Sequence, residues 1–86
     1  MVDVIFAKKF EKQFKKLPQS VKNKFLKVLK IFQEDIFSPQ LKTHKLHGKY
    51  KNEFAFSISY EYRVIFVFID DQKVKFLKIG THEIYK

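Results

Sequence analysis

The sequence predicts an α+β fold: a short N-terminal strand, a two-helix hairpin, then an antiparallel β-meander with a short C-terminal turn. Three observations carry that expectation. Phenylalanines recur at helical spacing through the first third of the chain, β-branched and aromatic residues dominate its second half, and turn-forming residues separate the apolar runs. A chain of 86 residues fills one hydrophobic core, so residues 1–86 are expected to form a single domain. Its 45% apolar and 17% aromatic content, with eleven phenylalanines, suits a packed interior and excludes a disordered tail.

A short strand is expected over Asp3 to Phe6. Phe6, Phe10, Phe14 and Leu17 then follow at helical spacing, with Lys8, Lys9, Lys12, Lys15 and Lys16 between them. Pro18 ends that helix and fits the first turn of the next. Val21, Phe25, Val28, Leu29 and Phe32 form a second apolar stripe, which Asp35 to Pro39 terminates. Helices this short are marginal alone, so both stripes need a cover. The second half supplies it. "EFAFSISY" alternates, with Phe54, Phe56, Ile58 and Tyr60 on one face and Ala55, Ser57 and Ser59 on the other. "YRVIFVFI" reads as a central strand, "IDDQK" as a turn and "KVKFLKIG" as a third strand. The polar, basic stretch "SPQLKTHKLHGKYKNE" between the halves is either a loop or an irregular edge strand.

Charge narrows the function. Eighteen Lys and Arg against nine Asp and Glu give a formal +9, which favours a polyanionic partner: RNA, DNA or an acidic protein segment. A lysine-rich soluble surface is the plain alternative. Arg63 is the only arginine and stands inside an apolar run, a place better explained by its planar fork of donors than by charge alone. The absence of cysteine excludes disulfides, thiolate zinc sites and cysteine nucleophiles, and suits a cytoplasmic protein. "MVDVIFAKKF" carries Asp3 and a short apolar run, unlike a secretory signal, and no stretch suggests a membrane span.

Three places hold residues suited to chemistry: His44 and His47, Arg63 with its neighbours, and His82 with Tyr85. Gly80 frees the chain to turn. In one helical turn His82 and Tyr85 share a face; in a continued strand they point apart. RNA cleavage by the adjacent 2′-hydroxyl needs a base, an acid and positive charge on the pentavalent phosphate. Histidine titrates near neutrality, so His44 and His82 fit the first two roles, and Arg63 fits the third. Tyr85 suits stacking on a base or donating a hydrogen bond. Lys42, Lys45, Lys49 and Lys51, with Tyr62, are candidates for holding RNA. That chemistry requires no metal or cofactor, and a zinc site on His44 and His47 finds no third ligand at useful spacing. The plain alternatives are an edge-strand role for His44, an ion pair of Arg63 with Glu61 or Glu53, and a wet helix face for the first lysines.

The element order, with "KKFEKQFKKLP", "LKTHKLHGK", "YEYRVIFVF" and "IGTHEIY", resembles the RelE/ParE toxin superfamily, in its RelE/YafQ-like branch, over essentially the whole chain. The resemblance implies a RelE-like fold and a bacterial toxin of a type II toxin–antitoxin system. It implies an mRNA interferase that acts at the ribosome without a metal and is silenced by a cognate antitoxin. Under it, Arg63 falls on the strand arginine that contacts the scissile phosphate, and His82 on the C-terminal catalytic basic residue. Tyr85 corresponds to the C-terminal aromatic and His44 to the upstream histidine. Ser57 and Glu61 stand where the YafQ branch often carries a histidine and an aspartate, and the terminal aromatic comes a residue early. A ParE-like inhibitor of DNA gyrase, binding without catalysis, is the alternative within the same fold. A generic basic RNA-binding module explains the charge but not the order of the motifs.

Overall fold

The computed structural model of the chain describes residues 1–50 and 52–85. Strand β1 (Asp3–Phe6) leads into helices α1 (Lys8–Lys15) and α2 (Gln19–Glu34). A short edge strand β2 (His44–Lys45) follows, then β3 (Glu53–Ser57), β4 (Arg63–Asp70) and β5 (Lys73–Gly80), and a 3-10 turn covers His82–Tyr85. The strands form one sheet in the order β1-β5-β4-β3-β2. The expected meander of β3, β4 and β5 is its centre, and both edges are additions. β1 runs parallel to β5, with Val4 opposite Val74 and Phe6 opposite Phe76. β2 pairs antiparallel with β3, so the basic stretch between the halves contributes an irregular edge strand rather than a plain loop.

Both helices cover one face of the sheet, where the phenylalanines meet. Phe10, Phe25, Val28 and Phe32 from the helices join Phe56, Val64, Phe66, Val74, Phe76 and Ile79 from the strands in one buried cluster. Phe32 is fully buried at its centre, stacked on Phe56 at 4.7 Å and edge-on to Phe66 at 5.1 Å and Phe76 at 5.2 Å. Aromatic pairs in these geometries contribute about 0.5–1.5 kcal/mol each beyond the area they bury. Pro18 stands at the N-cap of α2 with φ −57°, where its missing N–H leaves no helical bond unmade. Because β1 ends at Phe6, the Ile79 N–H lies beyond the reach of its neighbour strand. The side-chain oxygen of Gln13, on α1, accepts from it at 2.9 Å. The start of the chain is held in a similar way: Val2 donates to the Gln33 carbonyl, and the Gln33 side chain returns a bond to the Val2 carbonyl.

The other face of the sheet carries no helix, and it is where the candidate chemistry lies. Alternation along the strands sends Ala55 and Ser57 of β3, Arg63 and Ile65 of β4, and Lys78 and Gly80 of β5 to this helix-free side, where Ala55 and Ile65 are nonetheless fully buried. A β-bulge places the extra residue Leu77 between the Ile65–Lys78 and Phe66–Phe76 pairs, bending β5 as it nears its end. One expectation needs correcting here. Ile58 is buried as the alternation of "EFAFSISY" predicts, but Tyr60 is not its neighbour on a strand: β3 stops at Ser57, and Tyr60 is exposed in the turn that follows. A hairpin needs at least two residues to reverse direction, and extending both strands to Tyr60 and Tyr62 leaves only Glu61.

Candidate active site

The β3–β4 turn is built around Arg63. The Ile58 N–H donates to the Tyr62 carbonyl at 2.9 Å and closes the hairpin. From the first position of β4, Arg63 turns its Nη1 back onto the carbonyls of Ser59 at 2.9 Å, Tyr60 at 3.0 Å and Tyr62 at 3.4 Å. The guanidinium therefore gathers the Ser59 and Tyr60 carbonyls of the tight turn together with the Tyr62 carbonyl that already closes the hairpin. Among the described residues, no ion pair joins it to Glu61 or Glu53, and its Nε and Nη2 make no protein hydrogen bond. A fork held at one tine, with donors left over, is suited to a bidentate anion such as a phosphate.

Directly across the sheet, Arg63 pairs with Gly80 at the end of β5. A β-carbon on Gly80 would lie 2.8 Å from Cγ2 of Ile84, so the glycine lets the terminal turn fold tightly over the open face. Ile84 is buried there, outside the helix-side cluster. The turn donates from the Ile84 N–H to the Thr81 carbonyl at 3.0 Å, which brings His82 round to the end of β4. The result is a cleft of about 300 Å³ lined by Tyr60, Glu61, Arg63, Thr81 and His82. Arg63 and His82, nineteen positions apart in sequence, thus share one concavity. Tyr85 ends the same 3-10 turn, half-buried, three positions on from His82; it is not among the residues lining the cleft.

His44 shares the open face but not the cleft. It pairs with Ala55, which pairs with Ile65, which pairs with Lys78, so these four form one row across the sheet. Strand spacing and rise put the Cα atoms of His44 and Arg63 about 12 Å apart. The ring is oriented locally: its Nδ1 lies 3.0 Å from the Lys42 carbonyl. A carbonyl only accepts, so in the neutral ring Nδ1 carries the proton and Nε2 presents a lone pair. Lys42 adopts the left-handed conformation, φ 53°, in making that bond. Lys42, Lys45 and Lys49 are exposed, whereas Lys51 lies outside the described residues. Tyr62 packs against the helix-side core, on the opposite side of β4 from Arg63.

Three cleft residues were not expected at the site: Tyr60, which the alternation put on a strand, Glu61, which entered only as a possible ion-pair partner of Arg63 and as the departure from the YafQ aspartate, and Thr81. Tyr60 and Glu61 were legible from the residue count of the hairpin turn. Thr81 follows from Gly80, since a chain that turns at the strand end carries its next residue over the neighbouring strand. Lys78 is a further cation of the open face, marked by its place between the inward residues Phe76 and Ile79.

A five-stranded sheet under a two-helix hairpin is the fold expected of a RelE/ParE-type toxin. Residues 4–84 match the model of the family described as ParE toxin of type II toxin–antitoxin system, parDE; the chain belongs to that family and hence to the RelE/ParE superfamily. No curated protein matches the sequence. Several solved structures share the fold. YafQ from Escherichia coli superposes with a TM-score of 0.78 at 19% identity, over 99% of this chain and 98% of that one. A copper-bound mutant toxin from Helicobacter pylori is 23% identical over the whole of both chains, with a TM-score of 0.71. The heterotetrameric YoeB–YefM toxin–antitoxin complex from Staphylococcus aureus contains a chain 17% identical to this one, with a TM-score of 0.75 and coverage of 95% and 98%.

Proposed function

We propose that this toxin is an mRNA endoribonuclease that cuts message at the ribosome without a metal ion, and that a cognate antitoxin silences it in the cytoplasm. The observation that carries the reading is the convergence of Arg63 and His82 in one cleft of the open face. In the reaction the 2′-oxygen attacks phosphorus as its proton leaves, and the 5′-oxygen departs as it gains one, giving a 2′,3′-cyclic phosphate and a 5′-hydroxyl. His44, with Nε2 unprotonated, accepts the first proton; His82 supplies the second; the free donors of Arg63 meet the charge that builds on the phosphate. His44 and Arg63 stand about 12 Å apart at their Cα atoms, so an RNA strand lying bent across the sheet meets both. Holding a strand in that shape is a large part of the barrier, and the ribosome supplies it. Lys42 and Lys49 hold the flanking phosphates, with Lys51 as a further candidate; Lys45, opposite the inward Phe54, and Tyr62 fall on the helix side and take no part there, and Tyr85 supports the His82 turn. The toxin–antitoxin complex of the Staphylococcus aureus relative supports a protein antitoxin as partner. No helix among the described residues is long and apolar enough to cross a membrane.

A second reading, a gyrase inhibitor that binds without catalysis, draws support from the family match itself, which is to the ParE toxins. One experiment separates the two. Wild type, Arg63→Ala and His82→Ala are expressed in a translation extract, and mRNA ends are mapped. The nuclease reading expects new ends inside translated codons, reduced at least about 100-fold in both variants. Intact message accompanied by trapped or broken DNA in a gyrase assay would replace it with the second reading.

A further inference from the structure

Tyr60 occupies a position that neither the hairpin nor the proposed chemistry explains. It stands in the β3–β4 turn with 94% of its surface exposed. Turns favour Gly, Asn, Asp and Ser, residues that accept the bend or hydrogen-bond within it. A tyrosine there leaves a large ring in water when burial would stabilise it. Two observations give that ring a direction. It lines the cleft that holds Arg63 and His82. Its own carbonyl accepts from Arg63 Nη1 at 3.0 Å, so a hydrogen bond ties the backbone that carries the ring to the guanidinium. The same Nη1 also holds the Ser59 and Tyr62 carbonyls, which fixes the turn on both sides of the ring.

We infer that Tyr60 is a stacking platform for an unpaired nucleobase of single-stranded RNA, the base adjoining the phosphodiester held by Arg63 and His82. This deepens the nuclease reading and rests on it. Every base has a flat face, so such a platform tolerates any sequence while favouring the bases that stack best. A tyrosine has only two side-chain rotations to lose on binding, and its backbone is already held at the turn, which keeps the ordering cost small. Tyr85 is half-buried on the terminal turn, so the cleft's own aromatic is Tyr60.

The test uses a short 2′-O-methyl oligoribonucleotide, which cannot be cut, carrying 2-aminopurine as its fluorescent base. Binding is followed by fluorescence for wild type, Tyr60→Phe, Tyr60→Ala and Arg63→Ala, each checked for its circular dichroism spectrum. Wild type and Tyr60→Phe should bind alike and quench the probe. Tyr60→Ala should bind about 5- to 150-fold more weakly, the range spanned by the loss of one base–aromatic stack, and quench little. Equal affinity and equal quenching in wild type and Tyr60→Ala, with Arg63→Ala weakened, would overturn the platform and leave the nuclease reading standing. Binding by wild type without quenching would overturn it as well. A wild-type protein that neither binds the probe nor cuts message in a translation extract would remove both.

Discussion

Arg63 holds two positions at once. Its Nη1 gathers three carbonyls of the β3–β4 turn, and the residue lines the cleft. Its status as the only arginine of a lysine-rich chain was readable in the sequence, but the reason was not: hydrogen bonds to turn carbonyls appear only when β3 ends early. Lysine carries its three donors on a single nitrogen, which cannot be held at the turn and also present a planar two-pronged fork to a phosphate. Arg63→Lys is therefore expected to cut message nearly as poorly as Arg63→Ala, with a loss of about 1 kcal/mol in urea unfolding from the turn bonds. Cleavage within a few-fold of wild type would show that charge alone suffices. His82 and Gly80 were legible together, because a glycine at a strand end permits the turn that a histidine there would use. His44 was legible as a candidate, while its distance from Arg63 was not, since that depends on β2 joining the sheet as the edge strand beside β3.

The elements follow from the apolar pattern where the pattern is long, and escape it where pairing is set by few residues. Both helices and the β4–β5 hairpin fall within a residue or two of where phenylalanine and valine spacing put them. β1 was visible as a strand, yet its parallel pairing with β5 rests on four register pairs that no local signal specifies. β2 is only two residues long, too short for a period to declare itself. The assignment of Tyr60 to a strand failed for a related reason: alternation continued by chance past the point where the chain must reverse. Gln13 marks another feature invisible to periodicity. It sits on α1 and satisfies a β5 amide that β1 is too short to reach. Gln13→Ala leaves that part-buried donor without its partner and is expected to cost about 1–2 kcal/mol. The loss should appear in urea unfolding and as faster exchange of the Ile79 amide. Exchange at Ile79 unchanged from wild type would contradict the role assigned to Gln13.

Across the whole molecule, charge is unevenly placed. Residues 8–34 carry nine lysines against Glu11 and Glu34, while Glu34, Asp35 and Asp71 border one depression at the far end of the sheet. Arg63 and Asp70 stand at opposite ends of β4, about 23 Å apart by strand rise. A polyanion is thus attracted to the helices and the cleft end and repelled from the opposite pole. Affinity for single-stranded RNA should fall with salt at a slope of about 0.7 per phosphate neutralised, and a flat response would argue against RNA as the polyanion. The central claim is that Arg63 and His82 act on one phosphodiester. The most direct test is an NMR titration with a short 2′-O-methyl oligoribonucleotide, following the Arg63 guanidinium and the His82 ring. Both signals should shift together along one binding curve, and in Arg63→Ala the His82 ring should no longer respond. Shifts confined to the lysines of α1 and α2, with Arg63 and His82 unmoved at saturation, would contradict the account.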